Sequence, residues 1–410
     1  MSDAVGPQDE QLTQEPCVLF GFWPERECPN EEEVRLAIEN TFGAIKDLQE
    51  LDPTEDSPWG RVFEIPGVAE PVMIWAEERG ELPDELVRSW IDDEEERKGA
   101  AQARWLLGVR ASLDPKRPAQ TLHDLMRVLT AASVPGLPAV YDDGALCVIS
   151  GRSVREIASA LVPPRNSALY AIHNVPGRGG SWLHTHGLSR TGIPDIEILT
   201  VPGDDHREAC DLIDAVVDAL LGGVEPDCDG VLELGESIRV RIKDTSEAMD
   251  LFPANIAGGK DGRGDHDMKS WVILGEDGMG APRDAITRMA EDVVLFKTRE
   301  ESDRQRSLSQ HRFAVFGQLF ALRRGCGWQF HVKLAYERAS GNAGSEYLWF
   351  ETLALRPGEV LARLLSVPRD VPNLLAGTEA WHPLERMTDW VIVTPEGSFD
   401  PENAGVLLED

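Results

Sequence analysis

The stretch Trp182-Leu183-His184-Thr185-His186-Gly187-Leu188, followed by Pro194-Asp195-Ile196-Glu197-Ile198, sets the local fold. Alternate residues of a β-strand share a face. His184 and His186 are therefore expected to project together, and so are Asp195 and Glu197. If 187–194 turns the chain back, His186 faces Asp195 and His184 faces Glu197 across a hairpin. Such an acid–imidazole cluster can bind a metal, move a proton or hold the hairpin, and the pattern leaves these three open. The metal version uses His184, His186 and Glu197 with one Zn or Fe ion, since both accept two imidazoles and a carboxylate. In the structural version there is no cofactor. The His–carboxylate pairs then fix register, and Arg190 neutralises the acids. His173 alternates onto a strand face with Leu169 and Ala171 and reads as a core or edge histidine.

Outward from this hairpin, strand and helix patterns alternate. Val18–Trp23 reads as a strand, and Asn30 with Glu33 caps a helix carrying Val34, Ala37, Ile38 and Phe42 at amphipathic spacing. Strands are expected at 61–65, 72–75, 104–113, 145–150, 169–175, 181–188 and 196–201. Helices are expected around Leu86–Ile91, Leu122–Leu129 and Ala209–Leu221, the last stopped by Gly222-Gly223. The run Asp92-Asp93-Glu94-Glu95-Glu96 reads as a solvated helix end, and 299–306 as a charged break. The expected class is α+β: two units, each a mixed or antiparallel sheet with helices packed on it. Residues 1–16 form a frayed acidic tail, 17–252 an amino-terminal domain with room for a further division near 135–150, 253–269 a glycine-rich linker, and 270–405 a carboxyl-terminal domain. Gly258-Gly259-Lys260 lacks the spacing of a phosphate loop.

Charge narrows the partners. The chain carries a net −32. Residues 1–100 hold 27 Asp and Glu against 8 Lys and Arg, which places −19 in that quarter and −13 in the rest. Such a field disfavours nucleic acid and anionic membrane surfaces and attracts a basic protein. The six cysteines are dispersed without Cys-x-x-Cys or zinc spacing, and no signal-peptide pattern or membrane-length apolar run occurs, so a cytoplasmic protein with reduced thiols is expected.

In the carboxyl-terminal part, Phe330-His331-Val332-Lys333-Leu334, Glu346-Tyr347-Leu348-Trp349-Phe350-Glu351 and Met387-Thr388-Asp389-Trp390 resemble the bacterial YegJ-like domain of unknown function. Val367-Pro368 and Gly377 fall where that family has an Asn-Pro…Leu-x-x-Gly segment, with Ser366 in place of the Asn. Trp182–Ile198 is similar to uncharacterised bacterial proteins that join such a domain to an α+β amino-terminal region. The resemblance brings no activity and no catalytic residue, and relatives of these families are proposed as immunity proteins against secreted toxins. His331, Asp389 and Trp390 are expected to anchor that domain, the carboxylate accepting backbone N–H groups beside a buried indole. The function expected from all this is a non-catalytic protein-binding module. The alternative is a metal-dependent hydrolase centred on His184, His186, Asp195 and Glu197.

Overall fold

The structure, a computed structural model, describes residues 14–80, 84–133, 136–235, 238–264, 266, 269–289, 299–339, 345–372 and 374–408. The expected tail at 1–16 thus falls largely outside the described residues. The fold is α+β with three sheets, and the chain divides into two units, residues 1–296 and 297–410.

In the first unit, one sheet contains β1 (Cys17–Phe22), β2 (Lys46–Glu50), β3 (Trp59–Glu64), β4 (Val72–Glu78), β5 (Trp105–Ala111), β6 (Ala139–Asp142) and β7 (Cys147–Ser150). Its strands pair antiparallel in the order β2-β3-β4-β5-β1-β6-β7. The second contains β8 (Ala171–Gly177), β9 (Gly180–His186), β10 (Ile196–Val201), β11 (Val231–Glu233), β12 (Arg239–Asp244) and β13 (Trp271–Leu274). Its order is β11-β12-β13-β10-β9-β8, with only β10 and β13 parallel among the described pairs.

Helices α1 (Glu31–Phe42), α2 (Asp84–Trp90), α3 (Glu94–Gln102), α4 (Pro118–Ala132), α5 (Gly151–Ser159), α6 (His206–Leu221), α7 (Thr245–Ala248) and α8 (Arg283–Met289) complete this unit. The amphipathic stripes land as their spacing requires. Asn30 Oδ1 accepts the Glu32 and Glu33 amides, and Val34 and Ile38 are buried. One core runs from Leu107 and Val109 of the first sheet through Leu122, Met126 and Leu129 of α4. It continues to Leu212 and Val216 of α6 and to Leu183, Ile196 and Ile198 of the second sheet. A division near 135–150 would cut β6 and β7 from the first sheet, and the core runs through both sheets.

Three local expectations change. The acidic run at 92–96 starts a helix, with Asp93 Oδ1 capping the amides of Glu95 and Glu96. Carboxylates are favoured at a helix N-terminus, where they meet unsatisfied N–H groups and the positive end of the dipole. The charged break at 299–306 lies inside a helix. The described part of the glycine-rich segment, 253–264, is packed against the second sheet, and β13, expected to open a new domain, lies between β10 and β12. The division between units falls after residue 296.

The second unit has α9 (Arg299–His311), α10 (Phe313–Arg323) and an antiparallel sheet of β14 (Gln329–Glu337), β15 (Ser345–Arg356), β16 (Glu359–Leu364), β17 (Glu379–Pro383), β18 (Met387–Thr394) and β19 (Gly397–Phe399). The order is β17-β16-β15-β14-β18-β19. Phe316 and Phe320 of α10 pack on Phe330, Val332 and Trp390. Among the described residues no helix is long and apolar enough to cross a membrane. All six cysteines are free: Cys17 and Cys147 are buried, while Cys228 and Cys326 are exposed.

The two sheets of the first unit are clasped by Arg190, which is 1% exposed. Its guanidinium grips Asp142 at the end of β6 with bonds of 2.7 and 2.9 Å, and also donates to the Leu169 carbonyl that precedes β8. Removing one member of a buried pair strands the other charge, at a cost of about 3–5 kcal/mol. Arg190→Leu should therefore lower the urea-unfolding free energy of the first unit by about that much, and adding Asp142→Asn should recover part of it. A loss under about 1 kcal/mol would show that the clasp is dispensable.

Candidate metal centre

Strand alternation builds the site. On β9, Trp182 and His184 are buried and His186 is half-buried on one face, while Leu183 and Thr185 turn into the core. The register puts His173 of β8 opposite His184, and His184 opposite Glu197 of β10. Three residues thus form a row across three strands. The ring centroids of His173 and His186 are 4.8 Å apart, and those of His184 and His186 are 5.0 Å apart.

A further histidine completes the cluster from outside the sheet. His266 lies 4.9 Å from His184 and 5.5 Å from His186 between ring centroids. One nitrogen from each of His184, His186 and His266 lies within 4.8 Å of the others. A tetrahedral zinc ion with bonds of ~2.1 Å spaces its ligand nitrogens about 3.4 Å apart, so roughly an ångström of closure would seat an ion. His266 Nδ1 donates to the Arg263 carbonyl at 2.9 Å, which leaves Nε2 with its lone pair. Outer-sphere support of this kind is what orients metal-binding imidazoles. His184 Nδ1 is buried and has no hydrogen-bond partner.

The electrostatics keep His184 and His186 neutral. Burial, followed by repulsion from His186, His266, His173 and Arg263, lowers the His184 pKa to about 3. Burial and the neighbouring His173 and His266 bring His186 down to about 4. Neutral imidazole is the form that ligates.

Glu197, expected as the third ligand, serves another purpose. It is fully buried, and its carboxylate accepts from Trp182 Nε1 (2.7 Å), Thr245 Oγ1 (2.7 Å), Ser270 Oγ and both terminal nitrogens of Arg263 (2.8 and 2.9 Å). A carboxylate has about four lone-pair positions, so five donors leave none for an ion. Trp182, held by this bond, stacks on His184 at 4.0 Å and lies beneath the Arg263 guanidinium at 5.0 Å.

Asp195 leaves the expected face. It sits ahead of β10, where its carboxylate accepts Thr185 Oγ1 (2.8 Å) and the Leu188 amide (3.1 Å), and burial raises its pKa to about 6. Thr185 points away from His184 and His186, so Asp195 fixes the turn and does not reach the histidines. Arg190 is committed to Asp142 and does not neutralise Asp195 or Glu197.

In the second unit, Asp389 accepts from Gln305 Nε2 and from the Trp390 amide, and Trp390 Nε1 donates to the Ser309 carbonyl. The pair fastens β18 to α9. His331 stands elsewhere in the sheet, opposite Glu351 and Val391.

Residues 171–274 match the family model described as "Protein of unknown function (DUF4026) C-terminal". The match begins at the first residue of β8 and ends at the last of β13, so it covers the second sheet and His173, His184, His186 and His266. It lies in the middle of the chain and does not reach residues 330–390, where the YegJ-like domain was expected. No curated protein and no solved structure matches this chain.

His184 gives a pH signature. Between the ordinary histidine value of 6.5 and the folded value of about 3, the unfolded chain binds a proton that the folded one refuses. Stability is therefore lost as pH falls through that window. Asp195 acts in the opposite sense between 3.8 and about 6, but equally in a His184 variant. The metal-free His184→Gln protein should show a shallower fall in urea-unfolding free energy from pH 6.5 to 4 than its parent. Equal slopes would mean that the fold does not hold His184 neutral.

Proposed function

We propose that the domain at 171–274 binds a divalent transition-metal ion on His184, His186 and His266. One observation carries this: three imidazoles from two separate segments converge, and the most buried of them presents a nitrogen with no other partner. The three grade from buried through half-buried to exposed, so a bound ion would keep one side towards solvent. Nitrogen ligands of this kind suit Zn²⁺ or Fe²⁺. Three protein ligands with an open position are the arrangement in which a metal acidifies water. Metal-assisted hydrolysis is the reaction class that such an ion would serve.

The acidic first hundred residues favour a second reading, a module for a basic protein, to which the YegJ-like resemblance and an immunity-like role would belong. The two readings are compatible in one chain.

Elemental analysis of the untagged protein should find about one equivalent of zinc or iron, lost in His184→Ala/His186→Ala and greatly reduced in His266→Ala. Trp390→Phe, in the other unit, should keep it. Absence of metal after dialysis against micromolar zinc, or full retention in His266→Ala, would reject this centre.

A further inference from the structure

The first unit holds a cavity of about 910 Å³. It is lined by every residue of β7, Cys147–Ser150, and by the consecutive residues Tyr170, Ala171 and Ile172 at the start of β8. Side chains of a strand alternate between faces, so consecutive lining residues mean that strand edges, and not one face, border the space. Both strands are terminal: β7 ends the first sheet and β8 ends the second among the described residues. Two unpaired edges thus flank one cavity. An edge of this kind is a template for an added strand.

The remaining walls define what would fit. Trp90, Ile149, Ile157 and Ile172 give partly exposed apolar surface. Asp92, Asp93, Glu95, Glu96 and Asp214 also line the cavity, against only Arg152 and Arg155. The arginines are answered locally, Arg152 by Glu156 at 3.2 Å and Arg155 by Glu96 at 3.4 Å. The surplus is negative.

We propose that this cavity binds an extended, basic peptide segment, which adds as a strand to the β8 or β7 edge with its cationic side chains towards Asp92, Asp93 and Glu95. Backbone pairing supplies the affinity and the acidic rim supplies the charge preference. The proposal rests on the basic-partner reading and gives it a place in the fold; it does not depend on the metal. Ala171 pairs directly with His186, and Trp90 lies 5.9 Å from His173, so one end of the bound segment would lie beside the histidine cluster.

The test is calorimetric titration of the full chain with a capped seven-residue peptide of alternating Val and Lys. Four companions complete it: the Val/Glu peptide, two Val/Lys peptides N-methylated at alternate residues, one on each edge, and cytochrome c as a folded basic protein. Binding of the Val/Lys peptide is expected, weakened about tenfold or more by N-methylation on one edge and by Asp92→Lys/Glu95→Lys, two exposed positions. It should persist in the His184→Ala/His186→Ala protein. Binding that survives N-methylation of each edge in turn, equal binding of the Val/Glu peptide, or no peptide binding would each overturn the proposal. Binding of cytochrome c alone would overturn the strand-addition site while leaving the basic-partner reading standing.

Discussion

A buried carboxylate organises the middle of this protein. Glu197 sits with no exposure on the face of the second sheet, where an uncompensated charge would cost several kcal/mol. Arg263 neutralises it with two parallel bonds, and Arg263 belongs to the segment that follows α7. Meeting the charge therefore draws 253–264 down onto the sheet. Ile256 joins Trp182, Leu199, Val272 and Leu274 in a small core there. Gly258, at a φ of +72°, passes so near Trp182 that an added Cβ would lie 2.5 Å from the ring. Only glycine accepts both that backbone and that approach. The Arg263 carbonyl then holds His266 over the strand histidines.

This makes the charge network and the histidine cluster two layers of one arrangement. Glu197 touches none of the described cluster nitrogens, yet it fixes Trp182, on which His184 stacks, and through Arg263 the position of His266. Its relation to a bound ion would be that of a supporting group: it sets where the ligands stand and leaves the ligation to them. Burial, and after it repulsion among the rings, lowers the His184 and His186 pKa values, and the crowding behind that repulsion is what prepares them for a cation.

Arg190 and Asp142 perform the corresponding task between the sheets. With the Leu169 carbonyl they tie the turn after β9 to the end of β6. Gly187, at a φ of +113°, lets that turn pass against Leu169. The contact joins one core across both sheets while their terminal strands β7 and β8 stay unpaired with each other. The cavity occupies the space between those edges.

Periodicity made much of this legible. The His184/His186 pair on one face, the His184–Glu197 register, the boundaries of β10 and the stripe of α6 all follow from local spacing. A strand's side-chain period is set by its own backbone, whatever surrounds it. Asp195 broke the pattern because it lies before the strand begins, where Thr185 and the Leu188 amide recruit it. Glycine count misled at 253–264, since glycine serves close approach as well as flexibility. The identity of the third imidazole had no local signal: His266 is separated from His186 by most of a sheet, and no spacing rule connects them. By itself the sequence determined the strand faces, the helices and the acidic balance, all short-range or additive properties. Only the tertiary structure decided which carboxylate was consumed by an arginine and which histidine joined the cluster, because burial and partner geometry arise from contacts between residues distant in the chain.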